Sequence, residues 1–229
     1  MNLFFEDLGV IDYKEAWDYQ EKLFNELITN KISEQNNSNS PKIKRHYLLF
    51  CEHQHVYTLG KNGNVSNLLI SDEILKKIDA KFYKINRGGD ITYHGPGQIV
   101  GYPIFDLEAL NIGIKEYIYL LENCIIEMLA IYGINAGRLN GATGVWLDRN
   151  SVNARKICSI GVRASRYVTM HGFALNVNTN LDYFRYINPC GFIDKSVTSM
   201  EKELGRRQNI NEIKKNLLEI VIRYFEKNK

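Results

Sequence analysis

Proline, cysteine, methionine and tryptophan are all scarce in this chain, at four, four, four and two residues among 229. The cysteines, Cys51, Cys124, Cys158 and Cys190, include no C-x-x-C pair. That removes the usual zinc-site and thioredoxin-like patterns, and no metal is expected. Long hydrophobic runs are missing too. None approaches the ~18 residues of a membrane span, so no membrane partner is expected. The opening Met-Asn-Leu-Phe-Phe-Glu-Asp lacks the basic stretch of a secretory signal and meets acids at once. A cytoplasmic, reducing setting with free thiols is therefore expected. Neither sign of charge dominates: 29 Lys and Arg against 26 Asp and Glu leave +3. Charge alone gives no ground for a nucleic-acid partner.

What is present is ordinary globular material. Hydrophobic residues make up 45% and charged residues 24%, which excludes a disordered chain. The length suits one domain over 1–229, burying roughly 70% of the surface its unfolded form exposes.

Three segments carry helical spacing: 12–32, with Ala16, Leu23, Phe24 and Leu27; 114–132, ended by Gly133; and 211–227, with Ile213, Leu217, Ile220 and Val221. A short helix is expected after Ser71, which can cap it. The polar stretch 33–41 reads as a flexible surface loop. Strand material runs from His46 to Leu59, Phe82 to Ile85, Gln98 to Phe105, Gly144 to Leu147, Lys156 to Val162 and Val168 to Val177. The class is α+β: helices packed on a largely antiparallel or mixed sheet.

The densest chemistry lies in Arg87–Gln98. Gly88, Gly89, Gly95, Pro96 and Gly97 disfavour a regular helix and let backbone approach a ligand closely. Arg87, Thr92, Tyr93 and His94 stand among them, all able to bond a polar ligand. No phosphate-loop or dinucleotide pattern occurs. Cys51, Cys124 and Cys158 sit in apolar strands or helix and read as core fillers. Cys190 differs, because Asn188-Pro189-Cys190-Gly191 breaks regular structure and puts the thiol on a turn. Lys156 opens a strand. Alternation puts Lys156 and Cys158 on one face, where partial desolvation would let the amine act as a base. His53 and His55 alternate around Gln54, and both can point one way. A two-histidine metal site would still need a third ligand. His171, a lone histidine on a strand, reads as structural more readily than as catalytic.

Four motifs occur in order: Arg87-Gly-Gly-Asp-Ile-Thr-Tyr-His-Gly-Pro-Gly-Gln98, Lys156-Ile-Cys-Ser-Ile-Gly-Val-Arg163, His171-Gly-Phe-Ala-Leu-Asn-Val-Asn178 and Asn188-Pro-Cys-Gly191. Together they resemble the lipoyl(octanoyl) transferase family over about residues 45–200. The resemblance implies the fold of the biotin and lipoate protein ligase catalytic domain. It also implies transfer of an octanoyl group from octanoyl-acyl carrier protein to a lysine of lipoyl domains. Those domains belong to 2-oxoacid dehydrogenases and the glycine cleavage H protein. No cofactor is implied, since the donor is already a thioester. By motif, Cys190 takes the family's nucleophile position and Lys156 its lysine. Substrate contacts fall on Arg87, Gly88, Gly89, Asp90, Ile91, Thr92, Tyr93 and His94, on Ser159, Ile160 and Gly161, and on Gly172, Phe173 and Ala174. Tyr93 and Phe173 are candidates to line the acyl slot, and a Ser159–Gly161 turn is a candidate oxyanion donor. Many relatives have proline where this chain has Gln54 or His55, and the 33–41 insertion looks longer than usual. Lys42, Lys44 and Arg45, or Arg163 and Arg166, offer basic faces for an acidic carrier or lipoyl domain. Two other classes stay open: an ATP-dependent ligase on the same fold, and a silent acyl-binding protein.

Overall fold

The computed structural model describes residues 2–36, 45–188 and 196–226. The first long helix, α1 (Tyr13–Asn36), starts where the Asp12 side chain accepts the Lys14 amide at 2.8 Å. Its buried stripe is Ala16, Leu23, Phe24 and Leu27. The helix outlasts the expected end at 32, because Ser33–Asn36 contain no helix breaker. Those four residues of the expected loop are therefore helical, and 37–41 lie outside the described residues.

The apolar run 46–59 is two strands, not one. They are β2 (His46–His53) and β3 (Val56–Leu59), and they belong to different sheets. The chain bends at Gln54–His55, where the His55 ring stacks on Tyr183 at 4.0 Å. The backbone leaves the first sheet at this bend and enters the second at Val56.

The large sheet adds β1 (Leu3–Ile11), β6 (Gln98–Ile104), β7 (Gly137–Leu139), β8 (Ala142–Leu147), β9 (Arg155–Ser165) and β10 (Val168–Asn176). Its order is β1-β2-β6-β10-β9-β8-β7, with β11 (Ser196–Val197) paired to β9. Pairing is antiparallel except β1 with β2 and β11 with β9, so the sheet is mixed as expected. The small sheet has β4 (Lys81–Lys84), β3 and β5 (Ile91–His94) in that order. Between them runs α2 (Asp72–Lys77), where Ser71 Oγ accepts the Ile74 amide at 3.4 Å.

Three layers result. The helices α3 (Ile114–Ile131) and α5 (Ile210–Glu226) pack on one face of the large sheet, around Ile125, Met128, Leu217, Val221 and Phe50. Helix α1 covers the other face with Phe24 and Leu27 against Leu49, Val100 and Met170. Each fully buried Leu or Phe here contributes about 1.5–3 kcal/mol. A short helix, α4 (Met200–Leu204), leads into α5. The small sheet is closed by its own aromatic cluster, in which Tyr57 and Tyr93 meet Phe184 of a 3₁₀ turn at Leu181–Tyr186. No helix among the described residues is long and apolar enough to cross a membrane.

Candidate active site

A cavity of about 340 Å³ opens where the small sheet meets β9 and β10 of the large one. Most of the predicted residues line it: Lys156, Arg87, Gly89, Asp90, Ile91, Thr92, His94, Ser159, Ile160, Gly161, Gly172, Phe173 and Ala174. Two do not. On β5, Thr92 and His94 share the face towards the cavity and Ile91 and Tyr93 the other, and of that second pair only Ile91, at the start of the strand, borders the cavity. Tyr93 is fully buried, and its hydroxyl bonds His55 Nδ1 at 2.8 Å. Gly88 serves as an anchor, its amide donating to the Val162 carbonyl at 2.8 Å. Cys190 lies outside the described residues. The described chain that follows it, Ser196–Val197, lines the cavity and pairs with Arg155–Lys156.

Lys156 is half-buried, with its ammonium over the Trp146 ring at 4.6 Å. Its backbone carbonyl accepts the Thr198 amide at 2.9 Å. Cys158 does not share its face. Val145 pairs with Cys158 but Trp146 pairs with Lys156, so β9 carries an extra residue there. This bulge breaks the alternation and turns both Ile157 and Cys158 into the core. Gly144, at φ +115°, sits opposite, and a Cβ there would come within 2.5 Å of the Cys158 carbonyl. Buried Glu122 holds that segment of β8, accepting the Gly144 amide at 3.0 Å and pairing with Arg138 at 2.6 Å. The three described cysteines, Cys51, Cys124 and Cys158, are buried, and burial pushes each thiol up, away from reactivity.

Ser159–Gly161 form mid-strand backbone, not a turn, because they pair with Gly172–Ala174 of β10. β8 leaves β9 at Cys158, so the other edge of Ser159–Gly161 is left to the cavity. Beyond it Arg87 closes over β9. Its Nη2 donates to the Thr58 carbonyl at 2.6 Å and to Thr58 Oγ1 at 3.0 Å. Gly161 permits this closure: a Cβ would meet the Gly88 carbonyl at 2.9 Å and Arg87 Cδ at 3.0 Å.

The end of the cavity beyond Arg87 is polar. Tyr13 from the start of α1 stacks between Tyr83, at 5.5 Å, and His94, at 5.8 Å. His94 Nδ1–H donates to Gln98 Oε1 at 2.9 Å. His53 Nδ1–H donates to the Ile11 carbonyl at 2.9 Å, leaving Nε2 to accept from the Tyr102 hydroxyl at 2.6 Å. His171 lies in β10 at φ +59°. Its amide donates to Gln20 Oε1 at 3.1 Å and its Nε2–H to Asn86 Oδ1 at 2.7 Å. Burial holds all three imidazoles neutral, with His53 pushed down to about 4, and His94 and His171 to about 3. His53 and His55 therefore face different clusters, the chain bending between them. Among the described residues, no group of three His, Cys, Asp or Glu side chains is placed to hold a metal.

Sequence reasoning missed Tyr13, His171, Trp146, Phe184 and Val197 as cavity residues. A tyrosine at a helix start and an aromatic in a 3₁₀ turn carry no local signature. His171, next to a cavity glycine in its own motif, did. Of the basic faces, Arg45 is engaged with Glu26 at 3.8 Å and Phe4, and Arg163 with Glu21 at 4.0 Å and Phe24. Arg166 is exposed at the β9–β10 turn, while Lys42 and Lys44 lie outside the described residues.

Comparison with known proteins agrees with this architecture. The model of the lipoyl protein ligase A/B catalytic domain matches residues 12–222. An octanoyltransferase of Christiangramia forsetii is 56% identical over 214 residues, covering 93% of this chain and 91% of the relative. An octanoyltransferase of Bacteroides fragilis is 54% identical over 211 residues, covering 92% of each. Among solved structures, a bi-partite lipoate protein ligase from Thermoplasma acidophilum superposes with a TM-score of 0.70 at 15% identity, over 97% of this chain and 85% of the other. A lipoate-protein ligase A bound with ATP gives 0.68 at 15% identity, over 98% and 85%. These structural likenesses speak for the fold, and the two close relatives speak for the family. The chain belongs to the lipoyl protein ligase A/B catalytic-domain family, and within it to the octanoyltransferases.

Proposed function

We propose that this acyltransferase moves an octanoyl group from octanoyl-acyl carrier protein to a lysine of lipoyl domains through a thioester on Cys190. The acceptors are the lipoyl domains of 2-oxoacid dehydrogenases and the glycine cleavage H protein, in the cytoplasm. The observation that carries this reading is the placement of Lys156. It is the half-buried amine at one end of an apolar-waisted cavity, with the chain that follows Cys190 paired alongside it. A lysine in such a setting can hold a proton or give it up.

In the first half-reaction Lys156 takes the Cys190 thiol proton, and the thiolate attacks the octanoyl thioester carbonyl. The tetrahedral oxyanion collapses, the carbon–sulfur bond to the carrier breaks, and the leaving thiolate recovers the proton. An oxyanion donor is worth about 3–4 kcal/mol in well-studied enzymes. The open edge of Ser159–Gly161 and the backbone around Cys190 are the candidates. In the second half-reaction the acceptor amine attacks the acyl-enzyme, Lys156 accepts its proton, and Cys190 returns as thiol. Thioester exchange is near balance, whereas amide formation runs downhill. Val100, Ile160, Phe173 and Phe184 give the acyl chain an apolar passage. Eight carbons offer roughly 5 kcal/mol if largely buried, at about 0.8 kcal/mol per methylene.

The test is to mix the protein with octanoyl-acyl carrier protein, without ATP, and record its intact mass. A hydroxylamine-labile octanoyl adduct on Cys190, passed on to an apo lipoyl domain, is expected. The Cys190→Ser variant should form no thioester adduct. Transfer that appears only with ATP and free octanoate would replace this reading with that of a ligase. Stoichiometric binding without turnover would replace it with that of an acyl-binding protein.

A further inference from the structure

One side chain in the cavity wall stands against Lys156 and has no part in the steps above. Trp146 of β8 pairs with Lys156 of β9 across the ladder, beside the bulge. The bulge turns Cys158 into the core and leaves the indole and the amine next to each other in the cavity wall. The Lys156 ammonium lies 4.6 Å from the ring centroid, well inside the ~6 Å reach of a cation–π contact.

The ring is held still. Its Nε1–H donates to the Ala142 carbonyl at 3.0 Å, and Trp146 is 2% exposed. The face under the amine is therefore fixed, and little water screens the contact. The charged groups on the elements packed around Lys156, among the described residues, have partners of their own. Glu122 of α3 pairs with Arg138 of β7 at 2.6 Å. Arg155, the neighbour on β9, pairs with Glu203 of α4 at 2.7 Å and with Asp148 after β8. Across the cavity, Asp90 accepts from Asn67 at 2.6 Å and Arg87 donates to Thr58. The cavity histidines, His94 and His171, and the Cys158 thiol are kept neutral by burial. A ring face differs from a carboxylate as the partner of a base. It favours the charged amine, yet it carries no proton and takes up no acceptor that the sulfur or the incoming amine needs. In each half-reaction Lys156 passes from neutral to charged, so the contact is strongest once the proton has moved.

We propose that Trp146 is the positioning residue of Lys156: its fixed ring holds the amine at the cavity wall and favours the charged form that Lys156 takes on whenever it accepts a proton. The inference rests on Lys156 as the base of the octanoyl transfer proposed above. Trp146 acts through Lys156 and exchanges no proton itself.

The experiment takes two readouts on the unsubstituted chain, Trp146→Phe and Trp146→Leu. One is the pH profile of kcat/KM for octanoyl transfer to an apo lipoyl domain. The other is the pH dependence of Lys156 acetylation by trace acetic anhydride, read by mass on its peptide, which needs no turnover. Phenylalanine keeps a weaker ring face and leucine keeps none. Loss of the face disfavours the ammonium. The Lys156 midpoint should therefore move to lower pH, by about one unit in Trp146→Leu and by less in Trp146→Phe. The acid limb of kcat/KM should move with it, and the plateau rate should fall by about tenfold as the amine loses its place and part of its basicity. Phenylalanine is the gentler change to the core, so its midpoint decides should leucine not fold. A ring that only fills space would lower the plateau and leave both midpoints where they were, and folded variants behaving so would overturn the inference. A limb that moves while the Lys156 midpoint stays would overturn it too, because another group would then be responding. No octanoyl transfer from the unsubstituted chain would remove the transfer reading instead, and the acetylation midpoints would still decide whether the ring holds the amine.

Discussion

Replacing Gly161 with alanine tests how tightly Arg87 closes the cavity. The φ of Gly161 lies outside the left-handed region, so the alanine backbone is unstrained and any effect is steric. The added Cβ would stand 2.9 Å from the Gly88 carbonyl and 3.0 Å from Arg87 Cδ. Real Cβ contacts are at least several tenths of an ångström longer, so Arg87–Gly88 must move. That segment is fixed by the Gly88–Val162 bond at 2.8 Å and the Arg87–Thr58 bonds at 2.6 and 3.0 Å. Overpacking against a held backbone costs about 1–3 kcal/mol. For a domain of this size that lowers Tm by about 2–12 °C, at about 2–4 °C per kcal/mol. Displacing a cavity wall by up to about 1 Å should also cut octanoyl transfer by as much as ~10²-fold. Urea unfolding should show a lower midpoint with an unchanged m-value. A midpoint and a kcat/KM both within error of the parent would refute the close approach.

Three further outcomes follow from the same geometry. Lys156→Ala should stay folded by circular dichroism and lose about 10²–10⁴ in kcat/KM, the usual range for a general base; unchanged turnover would remove Lys156 from the chemistry. The neutral buried imidazoles His53, His94 and His171 should make the protein acid-labile, because their folded values are depressed and the unfolded chain binds more protons below pH 6.5. Their stabilisation is complete above 6.5 and falls by about 1.4 kcal/mol per pH unit for each histidine as the pH drops towards 4, so a Tm flat from pH 7 to 5 would contradict it. Glu122→Ala strands the Gly144 amide and leaves Arg138 without its carboxylate, and about 1.5–3 kcal/mol should be lost in chemical denaturation.

The long helices and the strands of the sheet interior were legible because their apolar periods reach the core undisturbed. α3 and α5 begin and end within a residue of their expected bounds. β1 was not legible. It is an edge strand whose side chains are mostly exposed, with Phe4 at 47% and Val10 at 62%, so no alternation marks it. The split at Gln54–His55 was hidden because both halves are apolar, and what separates them is their pairing with different strands, β6 for one and β4 and β5 for the other, all farther along the chain. The Lys156–Cys158 pairing failed for a local reason. Alternation assumes a regular ladder, and a bulge of one residue reverses the prediction. Tyr93 failed from the other side: its motif places it in the loop, but strand period 2 turns it away from the cavity. Most of the motif-bearing residues border the cavity, and they were legible because glycines and charges at fixed spacing survive any error in element bounds. The aromatic and histidine wall was not found, because it is assembled from α1, β2, β6 and β10 only in three dimensions.

The small sheet has a history written into its bonds. The Tyr57 hydroxyl donates to the carbonyl of Tyr183, 126 positions later, and Leu68 bridges to Ile187. During vectorial synthesis β3, β4 and β5 leave the ribosome long before their cover does. Until the Leu181–Tyr186 turn emerges, Tyr57 and Tyr93 lie open on a three-stranded sheet with two unpaired edges. Such late closure is slow and exposes a nascent chain to aggregation. A chain stopped before Leu181 therefore leaves Tyr57 and Tyr93 without Phe184, and the face of the large sheet that α5 covers without its helix, so both sheets wait on the residues from Leu181 onward for their cover.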